Sequence, residues 1–176
     1  MVSLTFLFWM YVVLFAVIGA MRGWAKEMLV TFGVVLAIFI ITVLERYIPF
    51  VRDSLVGPAR FWLRFLVLVA LVFFGYQGPN IPKLAAGNRF VRERLQDLLL
   101  GIFLGAVNGY LIFGTIWYYM HQAEYPFQII AAPDPNTVMG QSALRLVSLL
   151  PPVWLGTPAI YFAVALCFVF VLVVFI

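Results

Sequence analysis

Charged residues are scarce in this chain. It has 11 Lys or Arg and 7 Asp or Glu among 176 residues, or 10% in all. A soluble domain carries about a quarter charged residues, so this composition cannot cover a fold with an ordinary water-facing surface. Hydrophobic residues make up 65% of the chain, and the mean hydropathy is +1.09. Because a soluble fold this apolar would expose a large apolar area and aggregate, the composition predicts an integral membrane protein.

The residues that usually carry chemistry are also few. Cys167 is the only cysteine and lies in an apolar stretch, which excludes an intrachain disulfide and a cysteine metal site. His121 is the only histidine, and a metal site needs several converging donors. No nucleophile stands beside a base, so we expect no catalysis and no cofactor, although contact with a pigment or quinone stays open. The net charge of +4 contains no dense basic run, and we expect no nucleic-acid partner.

Long uncharged blocks predict where the chain crosses the membrane. A bilayer core of about 30 Å needs roughly 20 apolar residues in a helix that rises about 1.5 Å per residue. Five blocks meet this requirement, at residues 1–21, 28–44, 58–76, 98–120 and 158–176. We expect one all-α membrane domain: four spans within 1–120, a segment outside the membrane at 121–157, and a fifth span at 158–176. The short link between the first two blocks predicts a tight antiparallel hairpin.

Two shorter helices are expected outside the spans. Residues 88–96 form a charged helix, capped by Asn88, that leads into the fourth span. Residues 141–150 are amphipathic, since Arg145 lies opposite the leucines, and we expect this helix in the membrane interface. Arg64, near the start of the third span, is expected to reach back to the lipid headgroups. The first and third loops hold six Lys or Arg, and the second and fourth loops hold five. Because the cytoplasmic side usually carries more of these residues, the count favours an outside N-terminus and an inside C-terminus.

Three glycines in the fourth span suggest a helix-packing face. Gly101, Gly105 and Gly109 are four residues apart and therefore lie along one side of the helix. Glycine lets a second helix approach closely, which is how helices pack where lipid removes the hydrophobic drive. The partner could be another helix of this chain, a second copy or another subunit, and a backbone-lined pore is a further alternative. Gly19 and Gly23 form a weaker pair of the same kind.

Opposite charges flank the turn between the first two spans. Arg22 ends the first span and Glu27 begins the second, with Gly23 between them. A cation at the end of one helix and an anion at the start of the next both complement the helix dipoles, so we interpret this trio as a hairpin brace. The alternative is contact with a headgroup, a proton or a partner.

Two segments resemble a known family. The sequence RGWAKEML from Arg22 to Leu29 resembles the R-G-[aromatic]-x-[basic]-E turn of the colicin V production protein (CvpA) family. The sequence DLLLGIFLGAVNG from Asp97 to Gly109 is similar to that family's entry to its fourth helix, although Leu98 replaces a basic residue. The segment from Ser142 to Pro152 is similar to the family's amphipathic segment after that helix. The resemblance therefore covers roughly residues 1–152, and the fifth span has no counterpart in it. It implies a multi-pass protein of the bacterial cytoplasmic membrane, linked to toxin export and envelope homeostasis, and it supplies no reaction and no catalytic residues.

Two functions remain open at this point. The first is a non-catalytic structural or assembly subunit of a larger membrane complex, which could be photosynthetic, respiratory or devoted to export. The second is a small CvpA-like export or transport protein that acts as an oligomer through its glycine face. The expected partners are membrane lipid and either other membrane subunits or copies of the chain itself.

Overall fold

The computed structural model describes residues 3–77, 91–127 and 129–175. The structure is 82% helical, and the described residues contain no strand. The helices are α1 (Leu4–Arg22), α2 (Trp24–Tyr47), α3 (Gly57–Tyr76), α4 (Val91–Gln122), α5 (Val138–Val147), α6 (Pro151–Trp154) and α7 (Ala159–Phe175), with a π-helical turn at Phe50–Ser54. The prediction of an all-α membrane protein is confirmed.

Helices α1 to α4 are each long and apolar enough to cross a membrane. Helix α7 has 17 residues, which is near the lower limit for a span. Helix α4 is continuous from Val91 to Gln122, so the charged segment and the fourth predicted span form one helix where the structure describes them. Asn88, the expected cap, lies outside the described residues.

Helix α4 is the centre of the bundle. Helix α1 lies along α4, while α2 packs against both α3 and α4, and α7 packs against α2. The expected tight hairpin of α1 and α2 is wrong, because α1 makes its main contact with α4 and little contact with α2. Gly23 breaks the chain sharply between them with φ +83°. Val34, Ile38, Leu68 and Leu111 are fully or nearly fully buried in the core that α2, α3 and α4 share.

The spans alternate in direction, which gives the bundle two ends. One end holds the turn at Gly23 together with the end of α3, since Arg22 donates a hydrogen bond to the carbonyl oxygen of Tyr76. We call it the Gly23 face. The opposite end holds the start of α1 and the end of α4, and we call it the Ser3 face.

The segment expected outside the membrane lies partly against the middle of α4. A side chain added at Gly114 would touch Leu150 and Pro151, and the Trp154 indole donates to the Tyr110 hydroxyl at 3.1 Å. Gly114 lies about 12 Å along α4 from Gln122 at 1.5 Å per residue. Helix α6 therefore sits well inside the length of the bundle.

Helix α5 corresponds to the predicted amphipathic helix at 141–150, but it both begins and ends three residues earlier. The Thr137 side chain accepts a hydrogen bond from the Gly140 backbone N–H at 3.0 Å, so Thr137 caps the helix at that point. Ala143 and Val147 are buried against the bundle, whereas Arg145 is exposed.

Candidate functional site

A polar cluster inside the bundle centres on Glu27. Its carboxylate lies in the first turn of α2 and is completely buried. Glu27 Oε1 accepts a hydrogen bond from Arg22 Nη1 at 2.7 Å, and Oε2 accepts one from Asn108 Nδ2 at 2.8 Å. The sequence predicted a brace between Arg22 and Glu27, and the structure places the two side chains in direct contact.

Asn108 ties this cluster to the middle of α4. Its Nδ2 also donates to the Glu27 carbonyl oxygen at 2.9 Å, and its Oδ1 accepts from Thr31 Oγ1 at 2.7 Å. Asn108 is completely buried, and its donor and acceptor atoms are all engaged. A buried amide that was left unpaired would be costly, so these bonds fix α2 against α4.

Arg22 joins α3 to the same cluster. Its Nη2 donates to the Tyr76 carbonyl oxygen at 3.1 Å, and the guanidinium carbon lies 4.2 Å from the centroid of the Tyr76 ring. The Arg22 side chain is 20% exposed, whereas the side chain of Glu27 is not exposed at all. The Tyr76 hydroxyl is buried and has no hydrogen-bond partner among the described residues.

Gly23 is required by both conformation and space. Its φ of +83° lies in the region that favours glycine. A Cβ at this position would lie 2.8 Å from Asp97 Oδ1. Asp97 Oδ1 accepts a hydrogen bond from the Trp24 backbone N–H at 3.2 Å. A side chain of α4 therefore caps the first turn of α2.

A second polar cluster lies near the Ser3 face. Arg64 Nε and Nη2 donate to the two carboxylate oxygens of Glu45 at 2.6 and 3.0 Å, and Arg64 Nη1 donates to Gln122. Arg64 is only 7% exposed, so its expected reach to the headgroups is wrong. The carboxylate of Glu45 and the amide oxygen of Gln122 bind the Arg64 guanidinium inside the bundle, so it does not extend to the headgroups. This ion pair could have been predicted from the sequence, since Glu45 and Arg64 carry opposite charges on either side of the link between α2 and α3.

The glycine face of α4 meets α1 of the same chain. A Cβ at Gly105 would overlap the Phe15 carbonyl oxygen and lie 3.0 Å from Gly19 Cα, and one at Gly109 would lie 2.9 Å from Val12 Cα. A Cβ at Gly101 would overlap the carbonyl oxygen of Gly19. The backbones of the two helices therefore touch along this face.

The bundle also has an apolar groove between α1, α3 and α4. Its volume is about 280 Å³, and its lining includes Leu4, Phe8, Phe61, Phe65, Trp117 and Phe127. The lining is almost entirely apolar, so the groove suits an apolar occupant better than a polar one. The described residues contain no group of His, Cys, Asp and Glu side chains that could hold a metal ion. The Nδ1 atom of His121 lies 3.2 Å from the Tyr125 hydroxyl, within hydrogen-bond distance.

No protein-family model, curated protein or solved structure matches this chain. The resemblance to the CvpA family therefore rests on the residues quoted above alone.

Proposed function

We propose that this chain is a non-catalytic structural subunit that works within a larger membrane assembly. One observation carries the proposal: the charged side chains buried in the described bundle, Glu27 and Arg64, each bind partners within the chain. Arg22 and Asn108 hold Glu27, while Glu45 and Gln122 hold Arg64. Since intramembrane charges are expensive and otherwise mark ion or substrate pathways, charges that serve the fold favour a structural role.

The space between the two polar clusters supports the same function. Val34, Ile38, Leu68 and Leu111 separate the clusters and are buried and apolar. Thr115 adds one buried hydroxyl. A carrier of polar cargo needs a chain of polar groups through the bilayer. The region between the two clusters contains few polar groups.

The outer surface suits lipid or the apolar helices of a partner. Helix α7 packs on α2 and presents large apolar side chains elsewhere, among them Phe162, Leu166, Phe168, Val169 and Val173. Gly101, Gly105 and Gly109 are already occupied by α1. A partner would therefore meet large side chains, and self-assembly through the glycine face is disfavoured.

The alternative is an export or transport protein like those that the CvpA resemblance implies. Glu27 is the observation that favours it, because a carboxylate inside a membrane bundle is a functional candidate by default. The same resemblance supports placement in a bacterial cytoplasmic membrane. The membrane character itself is established by the four long apolar helices.

Extraction from native membranes in mild detergent, followed by native mass spectrometry, tests the structural role. We expect the chain to be recovered with other membrane proteins at fixed stoichiometry. A variant that lacks residues 159–176 should still insert but lose those partners, since α7 meets the rest of the bundle mainly through α2. Trp62→Ala, which trims an exposed side chain of α3, is the control and should retain them. Recovery of the full chain alone or only as a homo-oligomer would contradict the proposal.

A further inference from the structure

We propose that the break in the helical chain between α6 and α7 is a docking surface for a membrane helix of another subunit. The α6–α7 break comprises residues 155–158. The partner helix presents a hydroxyl or amide side chain to the break and apolar side chains to α7. This inference rests on the proposed structural role and deepens it, because it assigns the surface that meets the partner and the chemistry of the contact.

Contacts on both sides of the α6–α7 break place it inside the bilayer. Before the break, Pro151 would touch a side chain added at Gly114, which is about 12 Å from the end of α4. After the break, the ring centroids of Tyr161 and Phe39 are 6.0 Å apart, and Phe39 is likewise about 12 Å from the end of α2. Both helices end at the Ser3 face. Since the hydrocarbon core is about 30 Å thick, a segment at this depth lies within it.

The backbone of the α6–α7 break has polar groups that the described bundle leaves unpaired. The N–H groups of Gly156 and Thr157 donate to no backbone carbonyl of the described residues, and Pro158 has no N–H group to donate. A Cβ added at Gly156 would meet only the carbonyl oxygens of Val153 and Pro152 within 4 Å. No other described helix therefore covers this side of the turn, and the side chain of Thr157 is exposed beside it.

Neither lipid nor water suits this surface. Lipid chains offer no hydrogen-bond partner, and irregular backbone at membrane depth occurs only where protein or a water-filled cavity surrounds it. The side chains that flank the break, Trp154 and Phe162, are large, apolar and exposed, so a water-filled cavity would keep them in contact with water. A protein partner can cover the apolar side chains and pair the polar backbone at the same time.

The exposed surface of α7 favours a helix as that partner. It includes a stripe of residues at intervals of three or four, which lie on one side of a helix. The stripe consists of Pro158, Phe162, Leu166, Val169 and Val173. A helix packed along it would also reach the α6–α7 break. There a serine, threonine, asparagine or glutamine of the partner can accept from the free N–H groups and pair with the Thr157 hydroxyl, as such side chains do between membrane helices.

Photo-crosslinking in native membranes tests the contact. A photoreactive benzophenone amino acid replaces Phe162, which is close to the break, and in a control protein it replaces Leu66. Leu66 is exposed on α3 and lies about 14 Å from the Ser3 end of that helix, so the two probes are at nearly the same depth. We expect the probe at Phe162 to crosslink to one other membrane protein and the probe at Leu66 to crosslink to lipid.

Thr157→Val tests the polar part of the contact, because it removes the hydroxyl and keeps the shape of the side chain. The partner should dissociate about threefold more readily on dilution in detergent, which is the average effect of one hydrogen bond between membrane helices. Equal retention of the partner would overturn the hydrogen-bonded contact.

Three crosslinking or labelling results would contradict the docking surface. Crosslinks from Phe162 to lipid alone would make the surface lipid-facing, and crosslinks to a second copy alone would make it a contact between identical chains. Reaction of Thr157→Cys, in a Cys167→Ser background, with a water-soluble thiol reagent would make the break the wall of a water-filled cavity. Native mass spectrometry of the same membranes separates the two proposals. Other subunits recovered without a crosslink contradict this surface alone, whereas a chain recovered by itself contradicts the structural role.

Discussion

Substitution of Gly105 by alanine is the sharpest test of the packing between α1 and α4. The added Cβ would overlap the Phe15 carbonyl oxygen and lie 3.0 Å from Gly19 Cα. Both neighbours are backbone atoms, which cannot rotate away as a side chain could. Helix α1 would have to shift by on the order of 1 Å to restore a contact of ~3.5 Å.

Two opposing terms set the magnitude for Gly105→Ala. Alanine favours the helix by about 1 kcal/mol over glycine, while overpacking costs about 1–3 kcal/mol in soluble cores, which gives the scale here. Because the obstacle is backbone, we expect a steric cost in the upper part of this range, about 2–3 kcal/mol, which leaves a net loss of about 1–2 kcal/mol. Gly105→Leu should lose more.

Reversible unfolding in mixed micelles measures this loss. Gly156→Ala is the matched control, because a Cβ there meets its nearest atom, the Val153 carbonyl oxygen, at an ordinary 3.4 Å. That variant should unfold like the parent chain. A Gly105→Ala protein as stable as the parent, or more stable, would show that α1 and α4 do not touch along this face.

Three further predictions concern the polar clusters and the topology. Asn108→Ala leaves Glu27 Oε2 without its amide donor and should cost about 1–3 kcal/mol in the same unfolding assay; an unchanged midpoint would mean that α2 and α4 are not tied there. Arg64→Lys keeps the charge but loses the two-pronged contact with Glu45, and we expect a loss of about 1.5–3 kcal/mol, the range for hydrogen bonds to charged groups; equal stability would count against the inward Arg64. In a Cys167→Ser background, single cysteines at Asp134 and Arg94 should react with an impermeant reagent from opposite sides of the membrane, and reaction from one side would refute the alternating spans.

The positions of the membrane spans could be predicted from the sequence because a charged side chain inside the bilayer costs free energy. Charged residues fall near most helix ends, so the uncharged blocks overlap α1 to α4, although α4 begins seven residues before its block. Helix α5 was also visible, since its polar and apolar residues alternate with the helical period and proline follows it. Its start was missed because the Thr137 cap lies in a stretch without hydrophobic periodicity.

The choice of partner for each helix could not be read in the same way. Glycines at a spacing of four predict a close approach but carry no information about which helix approaches, so α1 was assigned to α2 by chain proximity alone. The burial of Asn108 likewise depends on α2 and α4 crossing at that level. The position of Arg64 near the start of a span predicts a reach to the headgroups, because long arginine side chains can extend that far. Its partners, 19 and 58 residues away, become neighbours only in the folded bundle.

The central claim is that the intramembrane charges serve the fold and do not carry cargo. Flux through the purified chain in sealed proteoliposomes tests it most directly, with ions and small polar solutes as probes and Glu27→Gln as the comparison. We expect the parent chain and Glu27→Gln to give the same flux as protein-free vesicles. A flux through the parent chain that is abolished in a correctly folded Glu27→Gln protein would contradict the account.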